Sequence, residues 1–286
     1  MIRKDVDPIY LNLFCSFLNS KFGIFTDDNK KEILAQKISK LMFEAGITSS
    51  EEYYRIIVST ALSPRLRDIQ QKFVDNVTVH KTNFFRENNH FEFIKRNINI
   101  IIEQSKNAKL TQELRVWSSA CSTGEEPYTL AMLFKEILPP GMRVKILATD
   151  VSPGSIQKAQ SGCYKFSMED NISPLYIQKY FTKEGEHYWV SDEIKRNVTF
   201  RLFNLMDPFP FNNPFDIIFC RNVMIYFNRE TQEKLVNNFY NHLSENGLLF
   251  IGHSESLIQI KHNFGYHEPT IYKKTCSKKT KNRITI

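Results

Sequence analysis

The sequence predicts an α/β protein with a doubly wound sheet, preceded by a small all-α domain. Three observations lead to this fold class. Up to residue 76 apolar residues recur only at helical spacing, whereas from residue 114 short apolar runs alternate with helical patterns. Within 163–197 this alternation is interrupted by a strand-like pair, which predicts a small inserted β-subdomain. We expect an all-α domain over 1–76, a linker over 77–87 and an α/β domain over 88–274.

The excess positive charge of the chain is confined to its C-terminus. Six of the 38 basic residues fall within the last 14 positions, where no acidic residue occurs, which leaves 32 basic residues against 31 acidic ones elsewhere. We expect residues 275–286 to form a disordered basic tail. A nearly neutral body argues against nucleic acid as a partner.

The composition also indicates where in the cell the protein works and whether it binds a metal. No apolar run approaches the ~20 residues of a membrane span, and the N-terminus lacks the apolar core of a signal peptide. The five cysteines are scattered without a Cys-x-x-Cys pair, which favours reduced thiols in a cytoplasm. His253, His262 and His267 show no metal-binding spacing and are interpreted as structural or surface residues. We therefore expect a cytoplasmic monomer without membrane insertion and without a metal.

Four helices are predicted before residue 77, because the breaks between the apolar stripes carry helix start signals. These signals are Asp27 or Asp28, a capping box at Ser49 and Glu52, and Ser63 followed by Pro64. On the second helix Lys30, Lys37 and Lys40 lie along one side, away from the apolar stripe. This side is either a docking surface for an acidic partner or an ordinary solvated helix face.

The linker is strongly aromatic at its end. It closes with Phe84, Phe85 and Arg86, just before Asn88 or Asn89 caps the next helix. Two aromatic residues beside an arginine are typical of a segment packed over a ligand, although anchoring in the core explains the phenylalanines equally well.

The α/β domain is organised around residues 116–128. A strand over 114–120 leads into a loop of small residues, and Pro127 is expected to open the next helix. The loop holds one glycine, Gly124, followed by two carboxylates, where a phosphate-binding loop would have several glycines and a lysine. This chemistry suits a positively charged ligand that approaches the backbone, such as S-adenosylmethionine. An ordinary strand–loop–helix junction is the alternative.

Later strands end in polar residues at the same edge of the predicted sheet. The second strand ends at Asp150, whose carboxylate can accept hydrogen bonds from both hydroxyls of a ribose. A further strand ends at Asn204 and Leu205, an amide beside an apolar side chain, which suits adenine. The strand over 215–220 then delivers residues 221–227 to the edge where open α/β proteins place their sites.

The remainder of the chain completes the sheet. A helix over 229–243, a strand over 248–251 and a last strand over 267–273 are predicted.

In order and spacing these stretches resemble the chemotaxis-receptor glutamate methyltransferases of the CheR type, over roughly residues 8–274. The resemblance rests on Thr82-Asn83-Phe84-Phe85-Arg86-Glu87, Trp117-Ser118 with Ser122-Thr123-Gly124-Glu125-Glu126-Pro127-Tyr128, Ala148-Thr149-Asp150, Phe219-Cys220-Arg221-Asn222-Val223-Met224-Ile225-Tyr226-Phe227, and Gly252-His253-Ser254-Glu255. It implies a Rossmann-like class I S-adenosylmethionine methyltransferase domain behind a receptor-recognising all-α domain. The implied substrates are glutamates on the cytoplasmic helical bundle of chemoreceptors, with S-adenosylhomocysteine as second product.

The resemblance also implies a cofactor site. Its predicted members are His80, Thr82, Arg86, Gly124, Glu126, Asp150, Asn204, Leu205, Arg221 and Asn222. His80 stands where the family often has asparagine.

Arg86 and Tyr226 are the predicted catalytic residues. Arg86 would compensate the charge of the incoming carboxylate, while Arg221 would hold the cofactor's own carboxylate or support the loop. Tyr226 would orient the cofactor's amino group or the substrate, or else it is a core tyrosine with a satisfied hydroxyl.

One departure from the family bears on receptor recognition. Members that bind a receptor's C-terminal pentapeptide carry a glycine-rich lengthening in the hairpin of the β-subdomain. Here the turn over 182–186 is short. We therefore expect a pentapeptide-independent enzyme that recognises receptors mainly through the helical domain.

Other classes fit less well. A nucleic-acid amine methyltransferase would have its Asn-Pro motif after the fourth strand, but Asn213-Pro214 precedes the strand here. A dinucleotide oxidoreductase would need Gly-x-Gly-x-x-Gly, which the sequence lacks. A cofactor-binding or receptor-adaptor protein without activity is an alternative of a different class, and the presence of both the cofactor residues and Arg86 argues against it.

Overall fold

The computed structural model describes residues 5–60, 63–166 and 170–275 of the 286-residue chain. Apart from Thr275, the predicted basic tail lies outside these residues, so its disorder stays a prediction. Over the described ranges, no helix combines the length and the apolar character that a bilayer span requires. The cysteines within them, Cys15, Cys121, Cys163 and Cys220, are free thiols.

The N-terminal part is an all-α bundle, as predicted. Its helices are α1 (Pro8–Phe22), α2 (Asp28–Ala45), α3 (Ser50–Val58) and α4 (Pro64–Val77). The side chain of Asp27 caps α2 and that of Ser49 caps α3, whereas Ser63 precedes α4 without a side-chain capping bond. A separate apolar core, which includes the buried rings of Phe14 and Phe73, holds this helical domain (α1–α4) together.

The rest of the chain alternates strands and helices. The strands are β1 (Glu113–Ser118), β2 (Arg143–Asp150), β3 (Cys163–Tyr164), β4 (Phe181–Glu184), β5 (His187–Val190), β6 (Val198–Leu202), β7 (Phe215–Cys220), β8 (Leu243–Ile251), β9 (Phe264–Glu268) and β10 (Ile271–Lys274). The helices are α5 (Asn89–Gln104), α6 (Lys106–Thr111), α7 (Glu125–Ile137), α8 (Pro153–Ser161), α9 (Pro174–Tyr180), α10 (Asp192–Lys195) and α11 (Arg229–His242).

The main sheet has seven strands in the order β6-β2-β1-β7-β8-β10-β9. The first five of these run parallel, and β10 and β9 are antiparallel to their neighbours. Chain order reverses between β1 and β7, so the carboxyl ends of these two strands border a crevice. Burial on both faces fixes the sheet: on β1, Val116 enters one apolar cluster and Trp117 enters the cluster on the opposite face.

The inserted β-subdomain is present. Strands β3, β5 and β4 form a small antiparallel sheet in that order, between α8 and β6. The β4–β5 hairpin closes on the turn Gly185-Glu186, where Gly185 has φ +60°. The short turn read from the sequence is therefore confirmed.

The structure differs locally from the predictions. Helix α6 was not predicted, and α7 begins at Glu125, with Gly124 at its N-cap, so Pro127 lies inside the first turn. Strand β8 begins at Leu243, five residues before the predicted start at Leu248. The strand includes the polar segment Ser244–Gly247, where its pairing with β7 shifts register in a bulge. The single last strand is the hairpin β9–β10, which turns at Thr270 with φ +61°.

Candidate active site

A cleft lies at the carboxyl ends of β1 and β7, between the sheet and the helical domain. It encloses about 1070 Å³, including its open mouth. Phe22 and Ile24 of the helical domain and the linker residues 77–83 form one wall. Ten of the predicted site residues line it: His80, Thr82, Arg86, Glu126, Asp150, Asn204, Leu205, Arg221, Asn222 and Tyr226.

Gly124, also predicted as a cofactor contact, is not among the described residues that line the cleft. It has φ +99°, and a Cβ at this position would lie 2.8 Å from both Ala159 Cβ and Tyr164 Oη. A side chain is therefore excluded by backbone conformation and by packing against α8 and the β-subdomain. Gly124 therefore fixes the shape of the loop, and its expected contact with the cofactor stays a prediction.

Arg221 is buried and bonded within the protein. Its Nη1 donates to Glu126 Oε2 at 3.0 Å, and its Nη2 donates to Glu87 Oε2 at 2.9 Å and to the backbone carbonyl of Arg86. Of the two roles left open for Arg221, support of the loop fits this geometry. Its donors join the linker, the first turn of α7 and the end of β7.

The two carboxylates that hold Arg221 differ in their environment. Burial acts to raise the pKa of Glu87, but Arg221 and a hydrogen bond from Asn222 outweigh it and lower the pKa to about 2. Burial raises the pKa of Glu126, and Arg221 and the Ser118 hydroxyl oppose that rise. Ser118 Oγ donates to Glu126 Oε1 at 2.7 Å. The two carboxylates together pair with the Arg221 guanidinium, and of the two only Glu126 is among the described residues that line the cleft.

Asp150 joins two loops at the end of β2. Its Oδ2 accepts from the backbone N–H of Ser122 at 2.8 Å, and its Oδ1 accepts from that of Ser152 at 3.0 Å. Burial raises the pKa of Asp150, and these backbone donors oppose the shift. Each carboxylate oxygen keeps a second lone pair, so Asp150 can still accept hydrogen bonds from a ribose.

His80 and Asn204 line the cleft, but their side chains are already bonded inside the protein. His80 Nδ1 lies 2.9 Å from Ser155 Oγ on α8. Asn204 Nδ2 donates to the carbonyl of Lys21 at 2.6 Å, and its Oδ1 accepts from Met206 N at 3.1 Å. The Asn204 amide thus attaches the end of α1 to the cleft. Its Nδ2 carries a second N–H besides the one bonded to Lys21, so the adenine-binding role of this amide stays a prediction.

Core anchoring explains the two linker phenylalanines. Phe84 and Phe85 are 1% and 7% exposed, neither lines the cleft, and both rings pack edge-on against other aromatic rings. They hold the linker so that the next residue, Arg86, lines the cleft. Arg86 is half-buried and donates from Nη1 to the carbonyl of Lys81 at 2.7 Å, which leaves further N–H donors on its guanidinium.

Tyr226 belongs to a single 3₁₀ turn, Met224–Tyr226, that follows β7. Its backbone carbonyl accepts from Phe25 N of the helical domain at 2.8 Å, and its side chain lines the cleft. Burial raises the pKa of the Tyr226 hydroxyl, with Arg86 acting in the opposite direction. The Tyr226 hydroxyl therefore stays protonated at neutral pH and can donate a hydrogen bond.

Glu255 is a supporting residue to which the sequence analysis gave no role. It is buried, and it accepts the backbone N–H groups of Asn222, Val223 and Met224 at 3.0, 3.0 and 2.7 Å. This cluster of bonds fixes the segment that carries Arg221 and Tyr226 out of β7, with Asn222 at φ +58°. The sequence contained a signal for Glu255, since the stretch Gly252–Glu255 is part of the resemblance, but no role was predicted for this stretch.

The three lysines of α2 do not line the cleft. Each has a partner in the chain: Lys30 pairs with Asp27 at 3.5 Å, Lys37 Nζ donates to the carbonyl of Asn76 at 2.7 Å, and Lys40 pairs with Glu44 at 3.7 Å. The bond from Lys37 to the end of α4 is a structural contact. For Lys30 and Lys40, a docking role stays a prediction.

One histidine cluster was not foreseen. Glu87, His90 and His253 bring possible ligand atoms within 4.8 Å of one another. His90 is fully buried, and burial followed by the charge of Arg221 lowers its pKa to about 3. Arg221, which pairs with Glu87 at 2.9 Å, already places a positive charge at this cluster, and that charge disfavours a divalent cation. We therefore interpret the cluster as packing around Arg221, and the expectation of a metal-free enzyme stays a prediction.

Comparison with known proteins identifies the class and then the family. A family model described as the CheR methyltransferase, SAM binding domain, matches residues 80–273, and one described as its all-alpha domain matches residues 10–78. The cleft and the sheet around it are thus those of an S-adenosylmethionine-dependent methyltransferase. The chain belongs to the CheR methyltransferase family.

Similar proteins of known name agree over most of the chain. A chemotaxis protein methyltransferase of Borreliella burgdorferi is 35% identical over 270 residues, which cover 92% of this chain and 93% of that protein. One of Escherichia coli is 34% identical over 277 residues, which cover 94% of this chain and 92% of that protein.

Proposed function

We propose that the protein transfers a methyl group from S-adenosylmethionine to glutamate side chains on the cytoplasmic helical bundle of chemoreceptors, forming methyl esters that serve sensory adaptation. The observation that carries the proposal is the placement of Arg86. It lies between the helical domain and the sheet, it lines the cleft, and it keeps N–H donors for an incoming carboxylate. The similarity to named chemotaxis protein methyltransferases supports the pathway.

The residues of the cleft fit the cofactor. Asp150 retains lone pairs for a ribose, Leu205 offers an apolar surface for adenine, and the Glu126 carboxylate, with 13% of its side chain exposed, lines the cleft where it can accept from a cationic ligand. When bound, S-adenosylmethionine supplies a methyl group on a positively charged sulfur. Thr82 and Asn222 complete the proposed wall.

The main task of the protein in this reaction is to align the glutamate carboxylate with the methyl group. A glutamate side chain has a solution pKa of ~4.3 and is ionised at neutral pH, so the nucleophile needs no general base. Positioning of two reactants can contribute roughly 7–11 kcal/mol. Arg86 provides the cation that allows a carboxylate to approach Glu126 and Asp150, and the Tyr226 hydroxyl donates a hydrogen bond that orients it.

Receptor recognition is proposed to use the helical domain and not a receptor C-terminal pentapeptide. The support is the β4–β5 hairpin, which closes on a two-residue turn and lacks any glycine-rich extension. We further propose that the enzyme works as a cytoplasmic monomer. We also propose that it needs no metal, because Arg86 supplies the positive charge that a substrate carboxylate requires.

The test is transfer of labelled methyl groups from S-adenosylmethionine to receptor-containing membranes, followed by mild alkali. A receptor band whose label is released as methanol is the expected result, because carboxyl methyl esters are base-labile. Base-stable label would contradict the proposal and indicate methylation of nitrogen. Receptors lacking their last five residues should be labelled equally well, and loss of label from them would contradict pentapeptide independence.

A further inference from the structure

The last turn of α4 contacts the beginning of α8 through Asp75. Asp75 Oδ1 accepts a hydrogen bond from Ser152 Oγ at 2.6 Å and another from Gly154 N at 3.1 Å. The first N–H groups of a helix have no partners within it, and this end of the helix attracts negative charge. Asp75 of the helical domain therefore caps α8 of the methyltransferase domain from outside.

Gly154 makes room for this contact. A Cβ at Gly154 would lie 2.6 Å from Asp75 Oδ2, which is closer than these atoms can approach. Gly154 is not among the glycines with positive φ, so its backbone conformation does not require glycine. Glycine is required at this position because the Asp75 carboxylate occupies the space that a Cβ would need.

Ser152 passes the contact on to Asp150. Ser152 is fully buried, its hydroxyl is held by Asp75, and its backbone N–H donates to Asp150 Oδ1 at 3.0 Å. The same hydroxyl accepts a hydrogen bond from Ser155 N at 3.0 Å, so two bonds fix the orientation of the Ser152 side chain. One carboxylate oxygen of Asp150 is thus fixed by a residue that Asp75 holds.

A second route leads to the other oxygen of Asp150. The backbone carbonyl of Asp75 lies 3.0 Å from His80 Nε2, and His80 Nδ1 lies 2.9 Å from Ser155 Oγ. The carbonyl of His80 accepts from Ser122 Oγ at 3.0 Å, and Ser122 N donates to Asp150 Oδ2 at 2.8 Å. Both oxygens of Asp150 are therefore connected to the end of α4.

We propose that Asp75 is a positioning residue for the cofactor site. By capping α8 it fixes the orientation of the Asp150 carboxylate, so that cofactor affinity depends on how the helical domain is seated on α8. This inference rests on the proposed role of Asp150 as the ribose-binding carboxylate.

The experiment measures the Kd of the full chain for S-adenosylhomocysteine by calorimetry, together with the thermal unfolding midpoint. Asp75→Ala should raise the Kd about five- to tenfold, within the range of coupling between linked sites. Asp75→Asn should stay within about twofold of the unchanged protein, because its remaining Oδ1 can accept both hydrogen bonds. Asp68→Ala is the matched control, since Asp68 is exposed on the same helix and pairs with Lys72 at 2.9 Å.

A purely structural role for Asp75 would lower the unfolding midpoint and leave the Kd of the folded protein unchanged, and that result would overturn the inference. An equal rise in Kd for Asp68→Ala would overturn it as well. If Asp75→Ala does not fold, Gly154→Ala tests the same contact from α8. Its Cβ must displace the Asp75 carboxylate, so the Kd should again rise, and an unchanged Kd would refute the role of Asp75.

Asp150→Asn separates this inference from the proposed function. If Asp150→Asn weakens binding and Asp75→Ala does not, only the role of Asp75 fails. If Asp150→Asn leaves the Kd unchanged, the ribose role fails and this inference fails with it.

Discussion

Arg221 Nη1 and Glu126 Oε2 lie 3.0 Å apart in the wall of the cleft, with their side chains 3% and 13% exposed. Removing one partner of a buried ion pair leaves the other charge unpaired, at a cost of about 3–5 kcal/mol. Arg221→Gln should therefore lower the free energy of unfolding by about this amount, as measured by urea denaturation.

An exposed ion pair provides the control for Arg221. Arg96 lies 3.5 Å from Glu268, with both side chains largely in solvent, and such pairs contribute ~0–1 kcal/mol. Arg96→Gln should therefore change stability little. Similar losses in the two variants would mean that Arg221 does not hold the linker to α7.

The acid stability of the protein should depend on Glu87. Its folded pKa of about 2 lies below the ordinary value, so the ionised form is stabilised by folding. This contribution is complete above the unfolded pKa of ~4.3 and is lost as the pH falls towards 2. The stability difference between the unchanged protein and Glu87→Gln, measured by denaturation, should be constant from pH 7 to about 5 and shrink below it. A difference that does not depend on pH would show that the Glu87–Arg221 pair is not the source.

Gly124→Ala should destabilise the protein more than Gly46→Ala. Both glycines have positive φ, but a Cβ at Gly46 meets no atom within 4 Å, whereas at Gly124 it meets two atoms at 2.8 Å. Gly46→Ala reports backbone strain alone, about 1–2 kcal/mol. Gly124→Ala adds overpacking, typically a further 1–3 kcal/mol. Equal losses in urea denaturation would mean that the loop relaxes freely around the new methyl group.

The sequence predicted the fold and the set of residues in the cleft far better than it predicted what they bond to. Hydrophobic period and capping residues determine α2, α3 and β7, and these elements lie where they were expected. The hairpin β9–β10 and the bulge of β8 were missed because both contain polar residues, and in a sequence a polar segment is the usual sign that a strand or helix has ended. The bond from Asn204 to Lys21 and the bonds from Arg221 to Glu87 and Glu126 join residues more than 90 positions apart, so local patterns carry no signal for them.

Receptor docking on α2 can be tested with Lys30 and Lys40. Changing both to Ala removes two charges whose partners, Asp27 and Glu44, are on or beside the same helix. If an acidic receptor surface docks here, the KM for receptor should rise several-fold in low salt, an effect that fades as salt screens the charges, with an unchanged Kd for cofactor. Lys234→Ala on α11, another exposed pair, is the control. Unaltered KM would leave α2 as an ordinary solvated helix face.

Arg86 is the residue on which the proposed chemistry depends most. Arg86→Ala removes the cation expected to receive the substrate carboxylate and should reduce kcat/KM for receptor at least tenfold, which corresponds to ~1.4 kcal/mol. Arg86→Lys keeps the charge without the planar fork, so it should recover part of the loss. Arg201→Ala is a matched control, because Arg201 is an exposed arginine that also donates to a backbone carbonyl, at 2.9 Å, and does not line the cleft. Full activity in Arg86→Ala would remove the basis for the proposed substrate-binding role. A loss of cofactor binding alone, with kcat retained at saturation, would instead place Arg86 in the cofactor site.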